Sequence, residues 1–241
     1  MELWRLISTF EASPEFNMGL DQALLETPEA PPTLRLYTWS PDTLSLGYFQ
    51  RFDEVPRSSE AGAVVRRITG GGAIHHTGEL TFSLACSLEH PLYRGAVGDS
   101  YARIHRAIAV ALAKFGVAAE LRGARSLASD REGTGMCFHH STDLDLVWDD
   151  RKGVGSAQRR KSGRVLHHGS IKLASSPLEG DIATLERYAT LAPEDFAPLL
   201  LEAFRSELAI RTRPSAAEAD ERDFARTVGP GYRSETFLHR R

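Results

Sequence analysis

Residues 64–85 read VVRRITGGGAIHHTGELTFSLA. Two apolar, β-branched runs, AVVRRI (63–68) and LTFSLACSL (80–88), have the composition of strands, and the intervening TGGGAIHHTGE (69–79) is too rich in glycine to continue either one. The reading is a loop held between two strands. Gly70, Gly71 and Gly72 permit positive φ and carry no side chains, so a ligand can approach the backbone and meet its N–H groups. Arg66 and Arg67 stand just before the loop; on a strand they point to opposite faces, so one at most reaches the loop's ligand while the other braces a carboxylate elsewhere. The loop is neither a Walker A sequence nor a Rossmann fingerprint, because the lysine and hydroxyl residue of the first and the glycine spacing of the second are missing. A plain glycine turn is the bland alternative.

Outward from this stretch the chain reads as alternating helix and sheet. SPEFNMGLDQALLE (13–26) predicts a helix, with Ser13 as cap, Pro14 in the first turn and Phe16, Leu20, Ala23 and Leu24 on one face. TLRLYTW (33–39) and TLSLGYF (43–49) predict strands around an SPD turn. From Asp99 to Phe115 the apolar positions Ile104, Ile108, Leu112 and Phe115 follow helical spacing, and Gly116 is placed to stop it. VAAELR (117–122), DLDLVW (143–148), GVGSAQ (153–158) and RVLHHGSIKL (164–173) predict further strands, and PEDFAPLLLEAFRSEL (193–208) and PSAAEADERDFARTV (214–228) closing helices. With no internal repeat or linker, the expectation is one α+β domain over residues 1–241, its sheet mixed but largely antiparallel and flanked by helices.

Hydrophobic residues at 41% and charged residues at 25% fit an ordinary globular chain of 241 residues and exclude disorder, collagen and disulfide scaffolds. The first residues, MELWRLISTFEASPEFNMGLDQALLE, have neither a basic n-region nor an apolar h-region, and no window reaches the roughly eighteen apolar residues of a spanning helix. A cytoplasmic protein without membrane contact is expected, with Cys86 and Cys137 as free thiols. A net charge of −3 argues against a general nucleic-acid binder. Residues 151–178 nevertheless carry Arg151, Lys152, Arg159, Arg160, Lys161, Arg164 and Lys172 with no acidic residue, just after Asp143, Asp145, Asp149 and Asp150, which predicts a positive face.

GMCFHHSTDLDLVWDDRKGVGSAQRR (135–160) holds one of the two cysteines and, fifteen positions further on, Lys152. A free cysteine is more often a small buried hydrophobe than a nucleophile, and Cys86 in LTFSLACSLEH suits that role. Gly133, Gly135 and two histidines instead place Cys137 in a polar loop, where a nearby ammonium would favour the nucleophilic thiolate. In RVLHHGSIKL, His167 and His168 face opposite ways, and His168-Gly169-Ser170 makes a close-approach spot with a donor beside it. The three His-His pairs (75/76, 139/140, 167/168) raise a metal site, but adjacent strand residues point apart and no His-x-x-x-His helix or carboxylate set supports one. No metal is expected.

Taken together, PPTLRLYTWSPDTLSLGYFQ, VVRRITGGGAIHHTGELTFSLA, MCFHHS and DRKGVGSAQRRKSGRVLHHGSI resemble the biotin/lipoate protein ligase superfamily on its lipoate side, from Trp4 to about Lys172. The arginine pair before the glycine loop, the lysine ahead of Gly-Ser-Ala-Gln and the His-Gly-Ser strand carry the resemblance. It implies the class II synthetase-like catalytic-domain fold, without the C-terminal accessory domain common in lipoate-protein ligase A. It also implies one of two chemistries. The ligases activate a free carboxylate with ATP; octanoyltransferases take an acyl group already held as a thioester on acyl carrier protein and need a nucleophile. Cys137 stands where the cysteine-type octanoyltransferases keep theirs.

The resemblance therefore implies octanoyl transfer in lipoate biosynthesis, from the phosphopantetheine of octanoyl-acyl carrier protein through a Cys137 thioester to the lysine of a lipoyl domain, that of the glycine cleavage H protein or a dehydrogenase E2. No cofactor is needed; ATP enters only if the chain is a ligase. Cys137 and Lys152 would be catalytic, with Lys152 stabilising the thiolate and relaying protons. Arg66, Arg67, Gly70, Gly71, Gly72, His76, Gly155, Ser156, Ala157, His168, Gly169 and Ser170 would bind substrate. N–H groups near Lys152 to Ala157 or Gly70 to Gly72 would hold the oxyanion. TFSLA and DLDLVW would line the acyl tunnel, and Arg159 to Arg164 would steer acidic partner proteins to a monomeric enzyme. The family often has a Ser-Pro segment after the cysteine; HHSTD here leads to the expectation that His139 or His140 assists the thiol. An ATP-dependent ligase, an amidotransferase between lipoyl domains and a silent lipoyl-domain binder are the alternatives.

Overall fold

A two-residue hairpin at Ser162 and Gly163, both at positive φ (49° and 75°), reverses the chain between the strands that carry most of the candidate residues. A computed structural model describes residues 2–240. In chain order they form β1 (Leu3–Ala12), α1 (Pro14–Glu26), β2 (Thr33–Trp39), β3 (Thr43–Leu46), β4 (Ala63–Arg66), β5 (Ile74–His76), β6 (Glu79–Ser87) and α2 (Val97–Ala113). There follow β7 (Glu120–Leu121), β8 (Leu146–Trp148), β9 (Arg151–Lys161), β10 (Arg164–Lys172), α3 (Pro193–Glu207), β11 (Arg211–Pro214), α4 (Ala219–Val228) and α5 (Glu235–Leu238). No helix among the described residues is long and apolar enough to cross a membrane.

Eight strands form one sheet in the order β11-β1-β2-β6-β10-β9-β8-β7, parallel only where β1 meets β11 and β2. A second sheet of three, β4-β3-β5, carries the glycine segment between β4 and β5. The mixed, mostly antiparallel α+β architecture is the one expected. Alternation along β6 divides the core: Leu80, Phe82 and Leu84 pack with Ile104, Ile108 and Leu112 of α2 and Phe196, Leu200 and Phe204 of α3. Ala85 faces the other way, with Leu20 and Leu24 of α1 and Ala225 of α4. Because helices cover both faces, nearly all of β6 is buried.

Several local expectations shift. TLRLYTW and TLSLGYF are both strands, but the second ends at Leu46 and joins the other sheet. VAAELR contributes only Glu120 and Leu121. β1, β5 and β11 were not foreseen: β5 is a short run inside the glycine-rich segment and β11 four residues ending in proline, too short for period to show. The predicted positive face is also smaller than its charges suggest. Lys152, Arg164 and Lys172 are buried, Arg164 donating to the Leu24, Pro28 and Ala30 carbonyls and Lys172 sitting between Glu79 (2.8 Å) and Glu179 (2.7 Å).

His76 and His105 are fully buried, and burial pushes the pKa of each from an ordinary 6.5 down to about 4. Between those values the unfolded chain binds protons that the native chain does not, so native stability falls as pH drops from about 6.5 to 4, by about 1–3 kcal/mol for each ring. Urea unfolding across this range should show the loss. His105→Gln should flatten the slope; an unchanged slope would mean that His105 is not neutral in the native state.

Candidate active site

Cys137 opens a short helical turn, Cys137–His139, in the loop before β8. This turn is tied to the glycine loop: the Ala73 N–H donates to the Gly135 carbonyl (2.8 Å) and the Cys137 N–H to the Ala73 carbonyl (2.7 Å). Gly72 lies so close that a Cβ there would stand 2.9 Å from Gly135 O and 3.0 Å from Cys137 N, so no other residue fits without moving the cysteine turn. Gln50 adds a clamp, its Nε2 donating to Gly135 O (2.7 Å). Sequence reading took the glycine loop for a ligand cradle; it is also the brace of the thiol.

Lys152 reaches the same turn from β9. Its Nζ donates to Cys137 Sγ (3.3 Å), Cys137 O (2.9 Å) and His140 O (3.3 Å), and pairs with Asp145 Oδ2 at 2.9 Å. The lysine side chain is 2% exposed and the aspartate 7%. Burial pulls the Lys152 pKa down, but its interactions with Cys137 and Asp145 outweigh it and hold the pKa above the ordinary lysine value. The group is therefore a fixed ammonium beside sulfur. A Cβ at Gly155 would meet Lys152 Cε at 3.0 Å and Cys137 Sγ at 3.4 Å, so the bare backbone makes room for this contact. Cys86, by contrast, is fully buried, its thiol pushed up to about 12 by burial.

Cys137 is part-exposed and lines a cleft holding about 430 Å³ of empty space, part of it open to solvent. Arg67, Gly70, Gly71, His76, Gly155, Ser156, Ala157, His168, Gly169 and Ser170, all expected to bind substrate, line it with Cys137. Met18, Tyr37, Trp39, Ile74 and Thr81 complete it. As ordinary core-type residues they carry no signal a motif would show. Arg67 Nη2 donates to the Gly70 (2.7 Å) and Gly72 (2.8 Å) carbonyls, and burial lowers its pKa to about 10, opposed by the Cys137 charge. His168 links Thr69 (2.6 Å) to Asp21 (3.2 Å) beneath the cleft. Ser170 donates to Glu79, and the Ser156 hydroxyl turns away to His105 (2.8 Å) and His167 (3.0 Å).

Four expectations are corrected. Arg66 does not line the cleft; its guanidinium donates to the Gly47 (2.7 Å), Gln50 (2.6 Å), Phe237 (2.8 Å) and Leu238 carbonyls, bracing backbone and not substrate. Of the two segments expected to form the tunnel, TFSLA supplies Thr81, while DLDLVW supplies the Asp145 partner of Lys152 and sends Leu146 and Trp148 to the core. His139 cannot assist the thiol, since its ring is bound to Thr134 Oγ1 (2.9 Å) and Glu179 O (2.6 Å). His140 meets Lys152 through its carbonyl.

The lipoyl protein ligase A/B catalytic-domain family matches residues 13–203, and the chain belongs to it. Among its relatives, the octanoyltransferase LipM of Moorella thermoacetica is 41% identical over 187 residues, covering 75% of this chain and 67% of that protein. The octanoyltransferase LipM of Kyrpidia tusciae is 33% identical over 277 residues, covering all of both chains. The fold is that of a lipoate-protein ligase A bound with ATP (TM-score 0.78, 20% identity, 99% of each chain). It is also that of a chain from the structural analysis of a bi-partite lipoate protein ligase and its E2 lipoyl domain from Thermoplasma acidophilum (TM-score 0.77, 19% identity, 99% of this chain and 96% of that one).

Removing one member of the buried pair leaves the other unpaired. Asp145→Asn or Lys152→Met alone should lower unfolding free energy by about 3–5 kcal/mol, and the double variant Asp145→Asn/Lys152→Met should recover most of it. A urea-unfolding cycle in which the effects simply add would refute the pairing.

Proposed function

We infer that this chain, an octanoyltransferase as its full-length relatives are, carries the octanoyl group as a thioester on Cys137 Sγ. The observation that supports this most is the 3.3 Å contact between that sulfur, which lines the cleft, and the Lys152 ammonium; Met18, Tyr37, Trp39 and Ile74 line the same cleft. In the first half-reaction the Cys137 thiolate attacks the thioester carbonyl of octanoyl-acyl carrier protein; the new S–C bond forms, the pantetheine S–C bond breaks, and that thiol leaves with a proton from solvent. One thioester replaces another at little cost, so no nucleotide is required. In the second, the neutral amine of an acceptor lysine on a lipoyl domain attacks the same carbon. The C–N bond forms, the amine gives up a proton to solvent, and Cys137 departs as a thiolate that the Lys152 ammonium stabilises.

An acyl-adenylate route would leave the Cys137–Lys152 contact without a task. We assign the oxyanion to N–H groups of the Gly70–Gly72 loop, a donor role of about 2.7–4 kcal/mol in comparable sites. At the outer end of β9 Arg159 and Arg160 carry the surface charge, Arg159 lying 5.2 Å from the Tyr48 ring and Arg240 3.9 Å from it, and this rim suits acidic carrier and lipoyl-domain partners such as the glycine cleavage H protein or a dehydrogenase E2. A monomer working as one catalytic domain in the cytoplasm, where Cys137 stays reduced, completes the reading.

Intact mass after incubation with octanoyl-acyl carrier protein, without ATP, tests it. The wild type should gain one hydroxylamine-labile octanoyl group, Cys137→Ser should gain no thioester, and Lys152→Met should acylate about 100-fold more slowly. An adduct that appears only with ATP and free octanoate would replace the transferase reading with the ligase one.

A further inference from the structure

A second hollow lies beside the cleft. It holds about 940 Å³ of empty space, part of it open to solvent, between α1, the outer end of β9, the segments that follow β3 and β4, and the chain from Val228 to Phe237. Three segments run from one space to the other. On β9, Gly155 and Ala157 line the cleft and Arg159 and Lys161 the hollow, alternate residues that share one face of the strand. On α1, Met18 lines the cleft and Gln22 and Leu25 the hollow, at the spacing of one helix face. Where the chain enters the glycine loop, Ile68 lines the hollow and Gly70 the cleft.

The walls of the hollow are fixed, while part of its charge is not taken up. Tyr232 Oη donates to Gln22 Oε1 (2.6 Å), and Arg66 holds the Phe237 carbonyl (2.8 Å). Lys161 is paired with Glu26 at 2.7 Å, and Gln22 donates to the same carboxylate oxygen (3.1 Å). Glu26 also feels the charge of Arg159 but makes no ion pair with it. Arg159 is half-buried and Arg240 exposed, their guanidinium carbons 5.2 Å and 3.9 Å from the centre of the Tyr48 ring, and among the described residues neither is ion-paired to a carboxylate. Two cations beside one ring, without a counter-ion, suit a phosphate, which guanidinium groups hold through charge-assisted hydrogen bonds.

Their distance from the thiol is set by β9. A Cβ at Gly155 would stand 3.4 Å from Cys137 Sγ, so this residue marks the sulfur's place along the strand. Gly155 to Arg159 spans about 13 Å of extended chain, and the arginine side chain reaches further. We propose that the hollow takes the phosphopantetheine arm of the acyl donor, with Tyr48, Tyr232 and Phe237 against its dimethyl and amide portion and Arg159 and Arg240 on its phosphodiester. The inference rests on the thioester reading for where the arm's sulfur meets the chain, and adds the arm's path and its phosphate site. An extended arm, sulfur to phosphate, matches the length that the strand and the arginine provide. The acceptor lysine carries no phosphate and no comparable arm, so the phosphate contact belongs to the first half-reaction.

Donors that differ only in the phosphate test this, read by intact mass as the initial rate of octanoyl loading on Cys137 at limiting donor and low ionic strength. Wild type should load from octanoyl-phosphopantetheine at least about tenfold faster than from octanoyl-pantetheine, and Arg159→Gln/Arg240→Gln with native circular dichroism should bring that ratio below about threefold. Equal rates from both donors in wild type overturn the proposal even if the double variant does not fold. So does a ratio that survives the double substitution, or a variant that loses rate only with octanoyl-acyl carrier protein, which would put the arginines on the carrier's acidic surface. Calorimetric titration of Cys137→Ser with phosphopantetheine and with pantetheine reads the same contact without a covalent step. The phosphorylated ligand should bind at least about tenfold more tightly; equal affinities overturn the site. If it binds so while no acyl adduct forms on the wild type, the arm's site stands and the thioester reading falls.

Discussion

An ammonium held out of water must be paired or shed its proton, and Lys152 is paired on two sides, by the Asp145 carboxylate at 2.9 Å and by the sulfur of Cys137 at 3.3 Å. Much of the local architecture follows from keeping that charge in place. Asp145 immediately precedes β8, which pairs with β9 through Val147 opposite Lys152. Gly155 leaves the space that the lysine stem and the thiol occupy. Gly72 and Ala73 hold the cysteine turn, so the sulfur from a loop and the ammonium from strand β9 meet at 3.3 Å.

The same contact separates two uses of one fold. Solved structures with this fold include a ligase bound with ATP, so the sheet and its glycine loop do not choose between activating a free acid and receiving an acyl group already activated. On the reading proposed above, the choice lies in whether a nucleophile stands in the cleft. Here the two cysteines make the contrast within one molecule: Cys86 is sealed in the core with its thiol pushed up to about 12, whereas Cys137 is part-exposed with the Lys152 amine 3.3 Å from its sulfur.

Local rules carried a good part of this. Strand alternation shows that Arg66 and Arg67 point apart, but which one meets the cleft depends on which face β3 and α5 cover, a long-range fact. Glycine and polar neighbours mark Cys137 as the candidate thiol, and the motif spacing finds Lys152. Asp145 looks like one more exposed acid in DLDLVW until β8 folds beside β9. Trp39, Tyr37 and Met18 read as core residues, and they are; their role as cleft walls arises because β2 lies three strands from β9 in a sheet whose order does not follow the sequence. Lys172 and Arg164 look like surface charge for the same reason: the carboxylates and carbonyls that bury them are distant along the chain.

The most direct measurement is the rate at which iodoacetamide alkylates Cys137 at pH 7, followed by peptide mass mapping, in the wild type and in Asp145→Asn/Lys152→Met, which leaves no charge unpaired. If the ammonium is what makes this sulfur a nucleophile, alkylation should slow by at least about tenfold in the double variant. Equal rates in two folded proteins would show that Lys152 does nothing for the thiol, and the chemistry assigned to this site would have to be abandoned.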